Sequence, residues 1–245
     1  MGGLLEPWRK MTRPTFVGIE NIPDERPLLF VGNHTLFGLL DVPLMFFELW
    51  KQRGIFLRGL GDHIHFKVPV WGEFLRRVGV VDGTRDNCAS LMRAGEAVLV
   101  FPGGAREVLK RKGERYQLIW KNRLGFAKMA LRHRCTIVPF GAVGADDAYD
   151  IVIDGDDVIR SPLGKLGKRL GILHEDLVVP LARGAAGTPL PKPQRFYFRF
   201  EPPIPTAEWA GRDDEATARE VRDRTRSAVE HALHELLVLR DRQRS

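Results

Sequence analysis

Apolar residues along this chain gather in short runs, and turn-forming or charged residues close each run. Thr15–Ile19, Leu28–Gly32, Ile55–Arg58, Ala97–Phe101, Thr136–Val143 and Phe196–Phe200 are of this kind. Short apolar runs with such boundaries read as buried strands. Between several of them the apolar spacing turns helical. Val42–Lys51 follows Asp41, an N-cap residue type, with Pro43 tolerated in the first turn. Asp86–Ala94 stops before Gly95, a C-cap signal, and Lys121–His133 and Pro162–Leu170 continue the alternation. Strands alternating with helices predict an α/β fold. Within Thr136–Val143, Pro139 cannot donate to a ladder, which predicts an edge strand or a bulge. The last segment, Asp213–Arg244, repeats Val221, Thr225, Ala228, Val229, Ala232, Leu236 and Leu239 at helical spacing. It predicts a long amphipathic helix docked on the domain. A helix lying on a membrane is the alternative. From Arg212 onward 8 Arg balance 8 acids, which argues against an anionic-lipid helix.

Composition narrows this picture. The 245 residues are 44% hydrophobic and 28% charged, which excludes wholesale disorder and fits one α/β domain, 1–245, with its core over 15–205. The longest uncharged runs, Pro27–Leu40 and Cys135–Ala145, have 14 and 11 residues, too few for a spanning helix. Glu6, Arg9 and Lys10 follow Met1–Leu5 at once, so no signal peptide is expected. Met1-Gly2-Gly3 suggests myristoylation, but Glu6 stands where that motif wants Ser or Thr. Cys88 and Cys135 make no disulfide framework; reduced, packed thiols in a cytoplasmic protein are the expectation.

The net charge is +7, from 38 Lys and Arg against 31 Asp and Glu, and points to an anionic partner. It is not spread evenly. Ala105–Arg134 holds ten cations and two acids, a net +8, so the rest of the chain sums to −1. With Tyr116, Trp120 and Phe126 interleaved, the segment reads as a basic patch carrying interfacial aromatics, or else as a solvated basic face. No nucleic-acid motif accompanies it.

Two strand ends carry candidate chemistry. Leu28–Gly32 runs directly into Asn33-His34, and an imidazole at a strand's carboxyl end can act as a general base. Val98-Leu99-Val100-Phe101 runs into Pro102-Gly103-Gly104-Ala105-Arg106-Glu107, where glycines admit close backbone approach and Arg106 offers a fork for phosphate or carboxylate. His63 and His65, beside Asp62, would share one face of a strand; a third spaced metal ligand is not apparent, and they read as lining the entrance to a site or as structural.

Asn33-His34, Phe56-Leu57-Arg58, Phe101–Glu107 and Ile137–Phe140, in this order, resemble the four blocks of the glycerolipid (lysophospholipid) acyltransferase superfamily. The resemblance spans about residues 15–205 and is closer to the monoacylglycerol and diacylglycerol acyltransferase-like branch. It implies an α/β fold: a single-layer mixed sheet flanked by helices, with the long C-terminal helix added. It also implies an O-acyltransferase that moves a fatty acyl group from acyl-CoA or acyl-carrier protein to a lipid hydroxyl, with no metal and no cofactor beyond that co-substrate. His34 matches the family's base and Asp41 the aspartate that orients it. Six residues separate the two here, where the family has four, so contact requires Thr35–Leu40 to form a loop, which Gly38 permits. Asp41 also reads as a helix N-cap. Arg58 and Arg106 match arginines implied to hold the acceptor's head group or the thioester's phosphates. Phe101, Pro102, Gly103, Gly104, Ala105, Arg106 and Glu107 are implied to build the acceptor pocket, Glu107 by pairing with Arg106 or by contacting the acceptor. Turn amides there are candidate oxyanion donors. Gly103 replaces the glutamate usual in the phosphatidic-acid-forming branch, which favours a neutral glyceride or long-chain alcohol. The implied partners are acyl-CoA, a lipid acceptor and a membrane surface, at the cytoplasmic face of a membrane. Leu4-Leu5, Pro7-Trp8, Met11 and Leu36-Phe37 with Leu39-Leu40 are candidates for an apolar surface dipping into it, or for ordinary core. A non-catalytic lipid-binding protein and an ester or thioester hydrolase are the alternative functions.

Overall fold

The computed structural model describes every residue except Met1, Leu39, 171–177, Asp213 and Ser245, and the side chains of Gly2 and Leu4. The chain runs α1 (Gly2–Thr12), β1 (Thr15–Val17), β2 (Leu28–Gly32), α2 (Val42–Arg53), β3 (Leu57–Gly61), α3 (His63–Phe66), α4 (Pro69–Arg77), β4 (Val81–Asp82), α5 (Arg85–Arg93) and β5 (Ala97–Val100). It continues through α6 (Gly104–Val108), α7 (Gly125–His133), β6 (Thr136–Val143), β7 (Asp150–Ile153), α8 (Gly155–Arg160), α9 (Pro162–Arg169), β8 (Leu181–Arg183), β9 (Tyr197–Phe200), β10 (Ile204–Pro205) and α10 (Glu215–Arg242).

The main sheet has the order β1-β9-β6-β2-β5-β3-β4, with β10 also paired to β6. Strands β2 to β6 run parallel, while β9 and β10 run antiparallel to β6. It is the mixed sheet flanked by helices that the resemblance implies. Strand β2 is buried along its whole length because both faces are covered. Leu29 and Val31 face one core with α5, α7 and α10; Leu28 and Phe30 face the other with α2. Helix α10 docks as expected, burying Val221, Val229, Ala232 and Leu236, and Asp214 caps its N-terminus by accepting from Thr217 N at 2.9 Å. Gly141 of β6 lets the helix approach: a Cβ there would lie 3.0 Å from that of Ala232.

Several expectations shift. Strand β3 begins two residues later than the apolar run suggests, at Leu57, and carries on to Gly61. His63 and His65 sit not on a strand but on a single helical turn, because Asp62 Oδ1 caps Ile64 N at 3.0 Å. The α7 segment starts at Gly125 rather than Lys121. Strand β6 is central, not an edge. It keeps Pro139 through a bulge: from Phe140↔Phe200 to Ile137↔Ile204, three steps on β6 face four on its neighbours. The missing N–H falls where β9 gives way to β10, and Pro139 O still accepts from Glu201 N at 2.9 Å. Cys88 and Cys135 are buried free thiols.

Candidate active site at the carboxyl edge of the sheet

His34 stands two residues past the end of β2, in the chain that leads to α2. Asn33 extends the sheet to hold it there: its amide donates to Ala142 O at 2.9 Å and accepts from Ala142 N at 2.8 Å. The imidazole stacks on Phe101, ring centroids 4.0 Å apart, and Phe101 lies just past β5, the neighbour of β2. Thr35 to Gly38 then turn around the ring, with Gly38 N donating to Thr35 O at 3.0 Å. Gly38 has φ +61°, and a Cβ on it would overlap His34 Cε1. Glycine is needed here both for the backbone and for the space.

Asp41 does not hold the imidazole. It is buried, accepts from Thr35 Oγ1 and from Val42 N, each at 2.9 Å, and caps α2. Among the described residues His34 Nδ1 is buried with no hydrogen-bond partner. Thr35 to Gly38 do turn back, yet the carboxylate is spent on Thr35 and on the start of α2. Burial pushes Asp41 up to about 6, against the pull of the Thr35 hydroxyl. Burial, with Lys110 and His65 adding repulsion, pushes His34 down to about 3. The ring is therefore neutral at physiological pH, the form a base requires.

The Gly-rich turn meets the histidine loop through Glu107. Its carboxylate is buried on α6 and accepts from His34 N at 3.2 Å and from Ile119 N at 3.3 Å. Burial outweighs the nearby Lys110 and pushes Glu107 up to about 7. Its side chain fills the space above Gly103, where any Cβ would collide with it. Glu107 thus braces the loop and pairs with neither Arg106 nor open solvent. Arg106 is buried and donates to both carboxylate oxygens of Glu114. Pro102 and Gly103 are buried, and Gly104, at φ +53°, uses its amide within the turn, to Phe101 O at 3.0 Å. Ala105 follows on the first turn of α6.

Arg58 stands apart from this cluster. It pairs across to Val98, three residues short of Phe101, and its Nε lies 3.8 Å from Glu96 at the other end of β5. At about 3.3 Å per residue that is roughly 10 Å below the level of His34. The late start of β3 moves it there, so a head-group role is not supported by its position.

Three supports were missed in the sequence. Lys110 is 1% exposed; its Nζ donates to His34 O at 2.7 Å and pairs with Asp146 at 3.3 Å. Asp146, equally buried past the end of β6, accepts from Leu36 N at 2.7 Å and Tyr116 N at 3.0 Å. Arg123 donates to Pro102 O and Gly103 O at 2.9 and 2.7 Å. Within a run of ten cations nothing marked two of them as interior.

The basic patch is correspondingly reduced. Besides Lys110, Arg111 pairs with Asp156, Lys112 with Asp157, Arg115 with Asp150 and Lys128 with Glu215. Trp120 and Phe126 are core residues, edge to face at 5.7 Å, not interfacial aromatics. The apolar surface expected near the N-terminus is also partly interior. Leu36 is 2% exposed, Trp8 packs on Phe196 and donates to Leu40 O, and Leu39 and the Leu4 side chain lie outside the described residues. An apolar cavity of about 160 Å³, lined by Leu60, Cys88, Met92, Val100, Phe126 and Met129, opens beyond β5. Val100 faces it while Phe101 faces His34, so cavity and imidazole lie on opposite faces of one strand end. Burial pushes the Cys88 thiol up to about 11, which keeps it protonated.

The family model described as Acyltransferase matches residues 13–143. Phytyl ester synthase 2, chloroplastic, of Arabidopsis thaliana is 34% identical over 243 residues, covering 91% of this chain and 34% of that protein. The bovine "DGAT1/2-independent enzyme synthesizing storage lipids" is 30% identical over 216 residues, 87% of this chain and 57% of its own length. The chain therefore spans about a third of the plant relative it matches. Among solved structures, the 1-acyl-sn-glycerophosphate (LPA) acyltransferase PlsC of Thermotoga maritima superposes with a TM-score of 0.57 at 17% identity, covering 95% of this chain and 79% of that one, a likeness of fold.

Proposed function

The chain belongs to the acyltransferase family, and on that premise we propose that it moves a fatty acyl group from a thioester, acyl-CoA or acyl-carrier protein, to the hydroxyl of a lipid alcohol, with His34 as general base. The observation that carries this reading is the neutral, half-buried imidazole at the carboxyl edge of the sheet, beside a Gly-rich turn. An alcohol is a weak nucleophile at neutral pH and needs a base within hydrogen-bond reach. In this reading His34 takes the hydroxyl proton and the alkoxide oxygen attacks the thioester carbonyl. The C–S bond then breaks, and the thiolate leaves with the proton from the imidazolium. Asp41 serves the loop through Thr35 rather than touching the ring. The relatives' names speak of phytyl esters and storage lipids. That supports a neutral lipid alcohol as acceptor, in keeping with Gly103 and with the enclosed Arg106.

That no carboxylate among the described residues reaches His34 Nδ1 favours a second reading, a lipid-binding protein without turnover. Thiol release and ester formation, measured with purified protein, a long-chain acyl-CoA and a panel of lysolipids, diacylglycerol, fatty alcohols and phytol, separate the two. The expected result is ester formation that falls by 10²-fold or more in His34→Ala. Equal thiol release by wild type and variant removes His34 as base, and free acid in place of ester makes the protein a hydrolase.

A further inference from the structure

Two short helices leave apolar faces in water, and both belong to the edge of the sheet that carries His34. The α3–α4 excursion leaves the sheet at Gly61 and rejoins it at Val81, which pairs back to Leu60. The excursion of α8 and α9 leaves at Val143 and rejoins at Tyr197, which pairs back to Val143. Strands β3 and β6 are both parallel to β2 and its neighbour β5. Each excursion therefore starts and ends at the carboxyl edge, flanking the histidine loop. Local contacts agree: the Phe37 ring meets Tyr149 edge to face at 5.4 Å, and His65 of α3 is near enough to His34 to repel its proton.

The two faces share a chemistry. On α4, Val70 is 86% exposed, and Phe74 is exposed with Trp71 stacked on it at 5.6 Å. On α9, Leu163 is 82% exposed and falls on one stripe with exposed Leu166 and Leu170. Gly164, on another side of α9, is the residue that seats the helix against α8. On α9, Lys165 and Arg169 flank these leucines, and Pro162–Leu170 holds no acid. Isolated apolar side chains on a surface need no explanation, but apolar stripes with cationic flanks do.

We propose that α4 and α9 are the feet by which this protein stands on an anionic lipid surface, holding the mouth of the His34 site against the bilayer. Their apolar faces enter the headgroup–acyl boundary, and Lys165 and Arg169 of α9 meet lipid phosphates. This deepens the reading given above: a water-insoluble alcohol then reaches His34 without crossing water. It also moves the membrane contact away from the N-terminal and Leu36–Leu40 residues that the sequence suggested.

Co-sedimentation of the full chain with phosphatidylcholine vesicles, with and without phosphatidylglycerol, tests the proposal without any turnover. Wild type is expected to pellet, more strongly with the anionic lipid. The pairs L163Q/L166Q and V70Q/F74Q are each expected to lower the partition coefficient by about tenfold or more, since 1.4 kcal/mol is a factor of ten. Their unfolding midpoints are expected to match wild type, because the residues are exposed. The proposal is overturned if wild type stays in the supernatant, or if both pairs bind as well as wild type. It is equally overturned if wild type without lipid sediments as a dimer that these substitutions dissociate, which would make a second copy the occupant. Binding that stands while no acceptor is esterified sinks the catalytic reading alone.

Discussion

At the scale of the residue, the site depends on what surrounds His34 more than on His34 itself. Gly38 is the tightest constraint, because its missing Cβ is the space that the imidazole occupies. Gly38→Ala should displace the ring and lower ester formation by about 10²-fold or more, at a stability cost above about 1 kcal/mol, because both the backbone angle and the overlap oppose the new Cβ. Activity and calorimetry on one preparation check the pair of values. Burial of the ring also has a consequence for pH. An unfolded histidine takes up its proton near about 6.5, whereas the folded one resists it down to about 3. Between those values only the unfolded chain binds the proton, so His34 adds stability as pH rises, and the gain is complete above the unfolded value. The midpoint difference between wild type and His34→Ala should move in favour of wild type from about pH 4 to about 6.5 and then level off. Asp41 and Glu107, raised to about 6 and about 7, act with the opposite sign: their neutral forms suit the fold, and that stability is lost as pH rises through those values. Both are present in each protein, so they cancel in the difference. His34 was legible because it ends an apolar strand. Its lack of a carboxylate partner was not, because that depends on whether Thr35 or His34 reaches Asp41 first.

At the scale of the element, the catalytic edge is assembled from loops that no single strand controls. The histidine loop after β2, α6 after β5 and the turn after β6 meet in the buried Lys110–Asp146 pair. Removing one partner of such a pair leaves a charge in the interior and costs about 3–5 kcal/mol, while removing both with matched shapes costs much less. Lys110→Met and Asp146→Asn should each lower the unfolding midpoint sharply, and the double variant should recover a large part of the loss. A denaturant double-mutant cycle measures that coupling. A double variant as unstable as the sum of the singles would show that the two side chains act separately. Elements with strong local signals, such as α10 with its unbroken apolar stripe and β2 between its polar ends, were legible in the chain. The α3 turn and the central place of β6 were not. The Asp62 cap is a local choice, made at Ile64 N two residues on, that a strand reading of His63 and His65 passed over, whereas the place of β6 is settled by β2 and β9, which are distant in sequence.

At the scale of the whole molecule, charge and apolar surface are redistributed by folding. The +8 of Ala105–Arg134 looked like an open anion patch, but the acids of the segment after β6 fold back on it. Lys165 and Arg169 of α9 stand instead beside exposed leucines, with no acid in Pro162–Leu170. Among the described residues no helix is long and apolar enough to cross a membrane. The sequence by itself determined the α/β architecture, the docked C-terminal helix and the histidine at a strand end, because hydrophobic period and strand-end chemistry are local properties. Only the tertiary structure decided which charges are interior, that Asp41 braces the loop, that Arg58 lies below the site, and which apolar residues stay in water. Each of those depends on pairing between residues tens of positions apart, and the chain order of a cation does not say which carboxylate will fold onto it.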